Sequence, residues 1–296
     1  MTSETTLVVG LGEALYDCFP DREVLGGAPI NVVVHASAFL PGGAVPATRV
    51  GDDDLGRRFL SQMAERGISS DHVQIDPIRP TGRVRVAVDP DGEPSYTFDD
   101  HSAWDAIEFD HSMQELAARC SAVTFGTLAQ RESQSRDSMR SFLGSAPQSL
   151  RLLDVNLRQG FYSAEVLDAS LELASAVKLN RDEVRVIADL LNLEDEAELV
   201  DRYNLNWLAL TRGHEGTLLL RDGQWREGEA AAVEPEPNVD QVGAGDACCA
   251  GLIYGMLQEW SESKTLTLAN AMGAWVASRQ GATPPLPPEI LRLAAD

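Results

Sequence analysis

Short apolar runs alternate with stretches of helical period through most of the 296-residue chain. The run at 7–9 predicts a strand. A proline at position 29 opens an apolar-periodic stretch over 29–40 that ends before Gly42-Gly43, the usual punctuation of a helix. Residues 54–66 keep helical spacing and stop at Gly67. Farther on, the runs at 122–125, 150–155, 176–179 and 207–211 are apolar without alternation, as strands buried on both faces are. Helical stretches at 132–143, 164–174 and 183–191 separate them. Strand and helix taking turns at this spacing predict an α/β fold: a mainly parallel sheet with helices on both sides.

One segment breaks the pattern. Residues 83–89 alternate apolar and polar, Asp91-Gly92 supplies a turn, and 95–98 alternate again, which predicts a hairpin with one apolar face. Inside an α/β chain such a hairpin protrudes from the main sheet, either as an edge decoration or as a lid over a cleft.

Charge narrows the function classes. Lys and Arg number 24 against 46 Asp and Glu, a formal net charge of −22. That field repels phosphate backbones and anionic bilayers, so neither nucleic acid nor membrane is expected as a partner. No apolar run approaches the ~20 residues of a membrane span. The N-terminus carries Glu4 where a signal peptide carries a basic residue, so a cytoplasmic location is expected. Cys18, Cys120, Cys248 and Cys249 form no framework, and without C-x-x-C or H-E-x-x-H spacing a zinc centre has no support. Only Lys178 and Lys264 are lysines. An acidic protein that binds an anion must build a local positive site from helix N-termini, a metal ion or a few arginines.

Gly243-Ala244-Gly245-Asp246 is the strongest local signal. A small-residue turn runs straight into an apolar helix, so backbone N–H groups converge with no side chains in the way and the helix dipole adds positive potential. A carboxylate at such a hole suits proton removal from a hydroxyl that attacks phosphorus; capping the helix is its other reading. Gly26-Gly27-Ala28-Pro29-Ile30-Asn31 offers close backbone approach, and Asn31 offers both a donor and an acceptor to a polyol. Gly10-Leu11-Gly12 is no dinucleotide fingerprint, because Leu15 stands where the third glycine belongs, and no G-x-x-x-x-G-K-[ST] loop exists.

Seven motifs in order give the chain its resemblance. Gly12-Glu13-Ala14-Leu15-Tyr16-Asp17, the glycine pair through Asn31, Val50-Gly51-Asp52-Asp53-Asp54-Leu55-Gly56, Asp154-Val155-Asn156-Leu157-Arg158, Asn180-Arg181-Asp182-Glu183, Thr211-Arg212-Gly213-His214-Glu215-Gly216 and the segment from Asp240 to Asp246 are similar to the motifs of the ribokinase-like, phosphofructokinase-B-type carbohydrate kinases, fructokinase-like branch. The resemblance implies one three-layer α/β/α domain over 1–296, with a small β-sheet lid from segments near 13–26 and 80–105.

It also implies roles. Asp246 is the base and Gly243, Ala244 and Gly245 the anion hole. Asp17, Gly26, Gly27, Asn31 and Arg158 hold the sugar, Arg158 reaching sugar or phosphoryl group. Asn180 and Glu183 position Mg²⁺, the Glu through water. Thr211, Gly213, Gly216 and Asn270 line the ATP pocket. Asp240, the Val242 carbonyl and carbonyls within 277–282 form a K⁺ site. The implied reaction is ATP-dependent phosphorylation of a sugar's primary hydroxyl, fructose first, with 2-keto-3-deoxygluconate, ribose and nucleosides as rivals; a sugar-binding regulator without catalysis is the alternative class. A homodimer is expected; Val84, Val86 and Val88 either supply its surface or pack inside one chain. The chain departs from the family pattern at Gln241 for Thr, Val155 for Pro, Val33 for a small residue, and Ala103-Trp104-Asp105 in a region that tends to touch substrate.

Overall fold

A computed structural model describes residues 6–88, 94–237, 239 and 241–295. Its strands are β1 (Val8–Leu11), β2 (Leu15–Cys18), β3 (Glu23–Gly26), β4 (Ala44–Gly51), β5 (Val73–Asp76), β6 (Gly82–Val88) and β7 (Pro94–Phe98). The second half adds β8 (Ala122–Phe125), β9 (Leu150–Asp154), β10 (Ala176–Asn180), β11 (Trp207–Thr211), β12 (Thr217–Arg221) and β13 (Gln224–Glu227). Among the described residues they form a nine-stranded sheet in the order β13-β12-β11-β10-β9-β8-β1-β4-β5 and a four-stranded sheet in the order β3-β2-β6-β7. From β5 to β11 all neighbours are parallel; β12 and β13 add an antiparallel edge.

The unbroken apolar runs explain the layering. Successive strand residues point to opposite faces. On β1 and β9, Val9 and Leu153 join one core with Met113, Phe142 and Leu171, while Val8 and Leu152 join a second core with Ile30, Phe59, Leu252 and Met272. Helices therefore cover both faces, and the architecture is a three-layer α/β/α fold of the ribokinase-like type. The predicted helices lie at Ala28–Ser37, Asp54–Glu65, Ser133–Gly144, Ala164–Leu173 and Arg181–Leu191. The last starts two residues before the expected Glu183, because Asn180 caps it with a side-chain oxygen that accepts the amides of Asp182 and Glu183. Helices His111–Arg119, Glu262–Ala277 and Pro288–Ala295 were not predicted; Glu262–Ala277 packs on Ala244–Leu257 and is apolar on more than one side, which blurs its period. Among the described residues no helix is long and apolar enough to cross a membrane.

The hairpin is β6–β7, joined edge to edge with β2 in parallel. Its Asp91-Gly92 turn lies outside the described residues, as do the side chain of Val88 and residue Asp240. Val84 and Val86 are 2% and 4% exposed within the single chain, so of the two readings they pack inside their own chain.

Val33 is accommodated by a glycine. A Cβ on Gly10 of β1 would lie 2.3 Å from the Pro29 carbonyl oxygen and 2.6 Å from Val33 Cγ2, so the helix rests directly on the β1 backbone. Gly10→Ala is expected to cost about 1–3 kcal/mol through overpacking. Urea unfolding should show a lower midpoint, and an unchanged midpoint would contradict this packing.

Candidate active site

The strand order turns at β1. The chain runs from β1 outward through β4 to β5, then returns to β8 on the other side and proceeds through β9 to β11. Open α/β sheets bind ligands at the carboxyl ends of the strands flanking such a turn. Those ends lead here into Gly12-Glu13, Gly126-Thr127, Asp154 to Arg158, and Asn180.

The helix Ala28–Ser37 starts at this edge. Gly27, at φ 104, brings its backbone against Glu13: a Cβ there would sit 2.3 Å from the Glu13 carbonyl oxygen. One turn on, the Asn31 side-chain amide donates to Asp246 Oδ2 at 2.8 Å. Residues 215 positions apart are thus joined. The Asn31 Oδ1 is buried with no protein partner. Across the lid sheet, Asp17 and Gly26 are close, since a Cβ on Gly26 would meet Asp17 Oδ2 at 2.9 Å.

Asp246 lies in the first turn of Ala244–Leu257, whose N-cap is Gly243 in the left-handed region at φ 80. No side chain caps this helix. The Asp246 carboxylate is engaged with Asn31, which decides against the capping reading. Gly245 is exposed. Burial, and next the charge of Asp154, push the Asp246 carboxyl up to about 6; the Asn31 hydrogen bond, Lys178 and Arg158 oppose the rise.

Two groups that motif reading left without a role stand beside it. Lys178 donates to Asp154 at 2.6 Å, with both side chains at most 7% exposed. Its Nζ is 3.5 Å from where a Gly245 Cβ would be, so a cation backs the small-residue turn. Burial, the largest single influence, would favour the neutral amine, but the charges of Asp154 and Glu183 and the hydrogen bond to Asp154 together outweigh it and raise the Lys178 pKa. A lysine amid the apolar strand Ala-Val-Lys-Leu-Asn, in a chain with two lysines, was the signal that could have found it. Glu13 is the second: 2% exposed, with Oε2 lacking a partner, its carboxyl is pushed up to about 7 by burial and by Asp246. Arg158 is exposed and, among the described residues, forms no ion pair.

Asn180 and Glu183 form a reciprocal capping box. Glu183 Oε2 accepts the Asn180 amide at 2.8 Å and Oε1 accepts the Leu157 amide at 3.0 Å, tying the Arg158 loop to the β10 end. No cluster of three His, Cys, Asp or Glu able to hold a metal occurs among the described residues. This donor set would suit a hydrated magnesium ion bound chiefly by phosphates, with Asn180 beside it and Glu183 reaching it through water.

The residues expected to line a nucleotide pocket gather past β11. The Thr211 hydroxyl donates to the Leu179 carbonyl at 3.3 Å, and Gly213, at φ 60, faces open space. Arg181 and Glu215 pair through two hydrogen bonds of 2.8 and 2.6 Å, clamping this turn to the Asn180 helix. A cavity of about 520 Å³ lies alongside, lined by His214 and residues 230–234. Asn270 does not open onto it: its Oδ1 accepts from Thr217 at 2.7 Å and its Nδ2 donates to the Glu229 carbonyl at 2.8 Å. It braces the wall behind Gly216, where a Cβ would meet Asn270 Nδ2 at 3.1 Å.

The Ala103-Trp104-Asp105 segment is a brace as well. Asp105 is fully buried and takes two hydrogen bonds from Arg131, at 2.8 and 2.7 Å. Arg131 stacks on Trp104 and donates to the Asp99 carbonyl at the root of the lid. The carboxylate expected near substrate is therefore engaged in holding the hairpin. Gln159 and Phe161, just past Arg158, also meet the lid, at Tyr96 and Phe98.

Comparison with known proteins agrees with this geometry. The profile of the pfkB family carbohydrate kinases matches residues 12–289. The fructokinases of Klebsiella pneumoniae and Salmonella typhimurium are 30% and 29% identical, each alignment covering 94% of this chain and 95% of the relative. Fructokinase with bound ATP from Xylella fastidiosa superposes with a TM-score of 0.88 at 24% identity, over 99% of this chain and 98% of that one. The 2-dehydro-3-deoxygluconokinase of Thermotoga maritima shares the fold too, with a TM-score of 0.83 at 18% identity, over 98% and 100% of the two chains. With its reversal of strand order at β1, its joined helix starts and a profile match over nearly its whole length, this chain belongs to the pfkB family of carbohydrate kinases.

Proposed function

We propose that the protein transfers the γ-phosphoryl group of ATP to a primary hydroxyl of a small sugar, with fructose as the preferred acceptor. The observation that carries this reading is the 2.8 Å Asn31–Asp246 contact, which sets a partly protonatable carboxylate between the sugar-side helix and the glycine turn. Asp246 takes the hydroxyl proton as the oxygen bonds to phosphorus, and the bond from γ-phosphorus to the bridging oxygen breaks to release ADP. The amides of Gly243, Ala244 and Gly245 and the helix dipole hold the phosphoryl oxygens, with the Lys178 charge behind them.

In this reading Asp17, Gly26, Gly27 and Asn31 hold the sugar, and Arg158 meets the sugar or the transferring group. Thr211, Gly213 and Gly216 line the nucleotide site with Asn270 bracing it. When bound, magnesium neutralises phosphate charge. We assign Asp240 and the Val242 carbonyl to a potassium site on the strength of the motif they share with the family. The lid excludes water from the transfer. We place the enzyme in the cytoplasm, as a homodimer formed through a surface other than Val84 and Val86.

The acceptor choice rests on charge. Fructokinases lead the relatives, and the Arg131 guanidinium near the lid is neutralised by Asp105. Arg158 is then the unpaired arginine beside Asp246, and a carboxylate substrate would compete with the phosphoryl group for it. ADP release should be measured with fructose, 2-keto-3-deoxygluconate, ribose and a nucleoside. Fructose is expected to give the highest kcat/KM. Efficient turnover of the keto acid without turnover of fructose would overturn the acceptor assignment, and sugar binding without ADP formation would overturn catalysis itself.

The base works only when ionised, so activity is lost as pH falls through about 6. The Asn31 hydrogen bond favours the ionised form, and its removal raises the Asp246 pKa further. Asn31→Ala is therefore expected to move the acid limb of the kcat/KM profile to higher pH. A limb that stays in place would show that this hydrogen bond does not tune the base.

A further inference from the structure

We propose that His35 is a positioning residue for the anion-hole turn. The role rests on the phosphotransfer reading of Gly243 to Asp246. Asn31 and His35 are four residues apart on the helix Ala28–Ser37, hence on one face. Both are buried, at 3% and 1% exposure. Asn31 grips the carboxylate of Asp246, while His35 reaches the backbone beneath the same turn.

The His35 Nε2 lies 3.0 Å from the Ala282 carbonyl oxygen. A carbonyl only accepts, so the ring carries its proton on Nε2 and donates it. Burial holds the imidazole neutral, its pKa pushed down to about 4. Ala282 in turn packs on the glycine that opens the turn. A Cβ on Gly243 would lie 2.4 Å from the Ala282 oxygen, 2.6 Å from its Cα and 2.7 Å from its Cβ. Gly243 is at φ 80, so both its conformation and its contact demand glycine.

The chain of contacts is short. His35 fixes the Ala282 peptide, that peptide forms the floor under Gly243, and Gly243 sets the direction of the amides that follow. One helix face thus holds the base and the anion hole in mutual register. A buried polar ring within an otherwise apolar core of Ile30, Val32 and Val33 is costly unless it is bonded, and leucine of similar bulk would fill the space without the bond. The hydrogen bond, and so the placement of Ala282, is what the histidine adds. Displacements of ~1 Å at a reacting centre cost about a hundredfold in rate.

The test compares His35→Leu, His35→Gln and His35→Asn in the full chain, following kcat, KM for fructose and ATP, and thermal melting. Glutamine places its Nε2 donor near the imidazole Nε2 position; asparagine is too short. His35→Leu and His35→Asn are expected to lower kcat by about 10- to 100-fold, with both KM values within about threefold of wild type, while His35→Gln retains kcat within about threefold. A folded His35→Leu with wild-type kcat, a His35→Gln as impaired as His35→Asn, or a loss confined to KM would overturn the role. If His35→Leu does not fold, the contrast between Gln and Asn decides. A wild-type protein without kinase activity would instead overturn the functional reading on which the role depends.

Discussion

The hydrogen bond from the Asn31 amide to Asp246 Oδ2 closes two helix starts on each other, one from each end of the chain. Neither helix makes a site alone. Ala28–Ser37 brings backbone and an amide to the cleft; Ala244–Leu257 brings its positive N-terminus and a carboxylate. The rest of the fold serves their meeting. Gly10 lets the first helix sit on β1, and Gly243 lets the second begin against Ala282. The reversal of strand order at β1 places both at one edge of the sheet.

An anion must be drawn to a chain with a net charge of −22. The answer is local. Lys178 lies against the turn, the charge of Arg158 reaches Asp246, and the helix dipole adds to both. The same crowding sets the base. Glu13, Asp154 and Asp246 lie within electrostatic reach of one another, and burial with repulsion from Asp154 raises the Asp246 carboxyl toward neutral pH. A carboxylate of ordinary acidity would be a poor acceptor for an alcohol proton, so raising it toward working pH is the chemically useful direction. Burial and then Asp154 raise the Asp246 carboxyl, Asn31, Lys178 and Arg158 oppose them, and the balance holds it at about 6.

Much of this was legible in the sequence because it is local. Apolar runs marked the parallel strands, alternation marked the hairpin, and small residues before an apolar run marked the glycine turn that opens the helix Ala244–Leu257. What stayed hidden depends on partners distant in sequence. Nothing near residue 131 indicates that Arg131 neutralises Asp105. Asn270 looks available to a nucleotide until Thr217 and Glu229 occupy its amide. Glu183 reads as a group facing a metal, and the sequence does not show that its two oxygens also hold the amides of Asn180 and Leu157. Lys178 and His35 lie within apolar stretches, where a lone polar residue reads as incidental until its partner is seen.

The claim at the centre is that Asp246 removes the proton of the incoming hydroxyl. Asp246→Asn preserves the shape and leaves an oxygen for Asn31 to meet, while abolishing the basicity. The decisive measurement is the single-turnover rate of phosphoryl transfer from ATP to fructose in this variant, with ligand affinities determined alongside. The account predicts a rate lower by ~10²–10⁴ with sugar and nucleotide still bound. A variant that transfers phosphate at nearly the wild-type rate would contradict it.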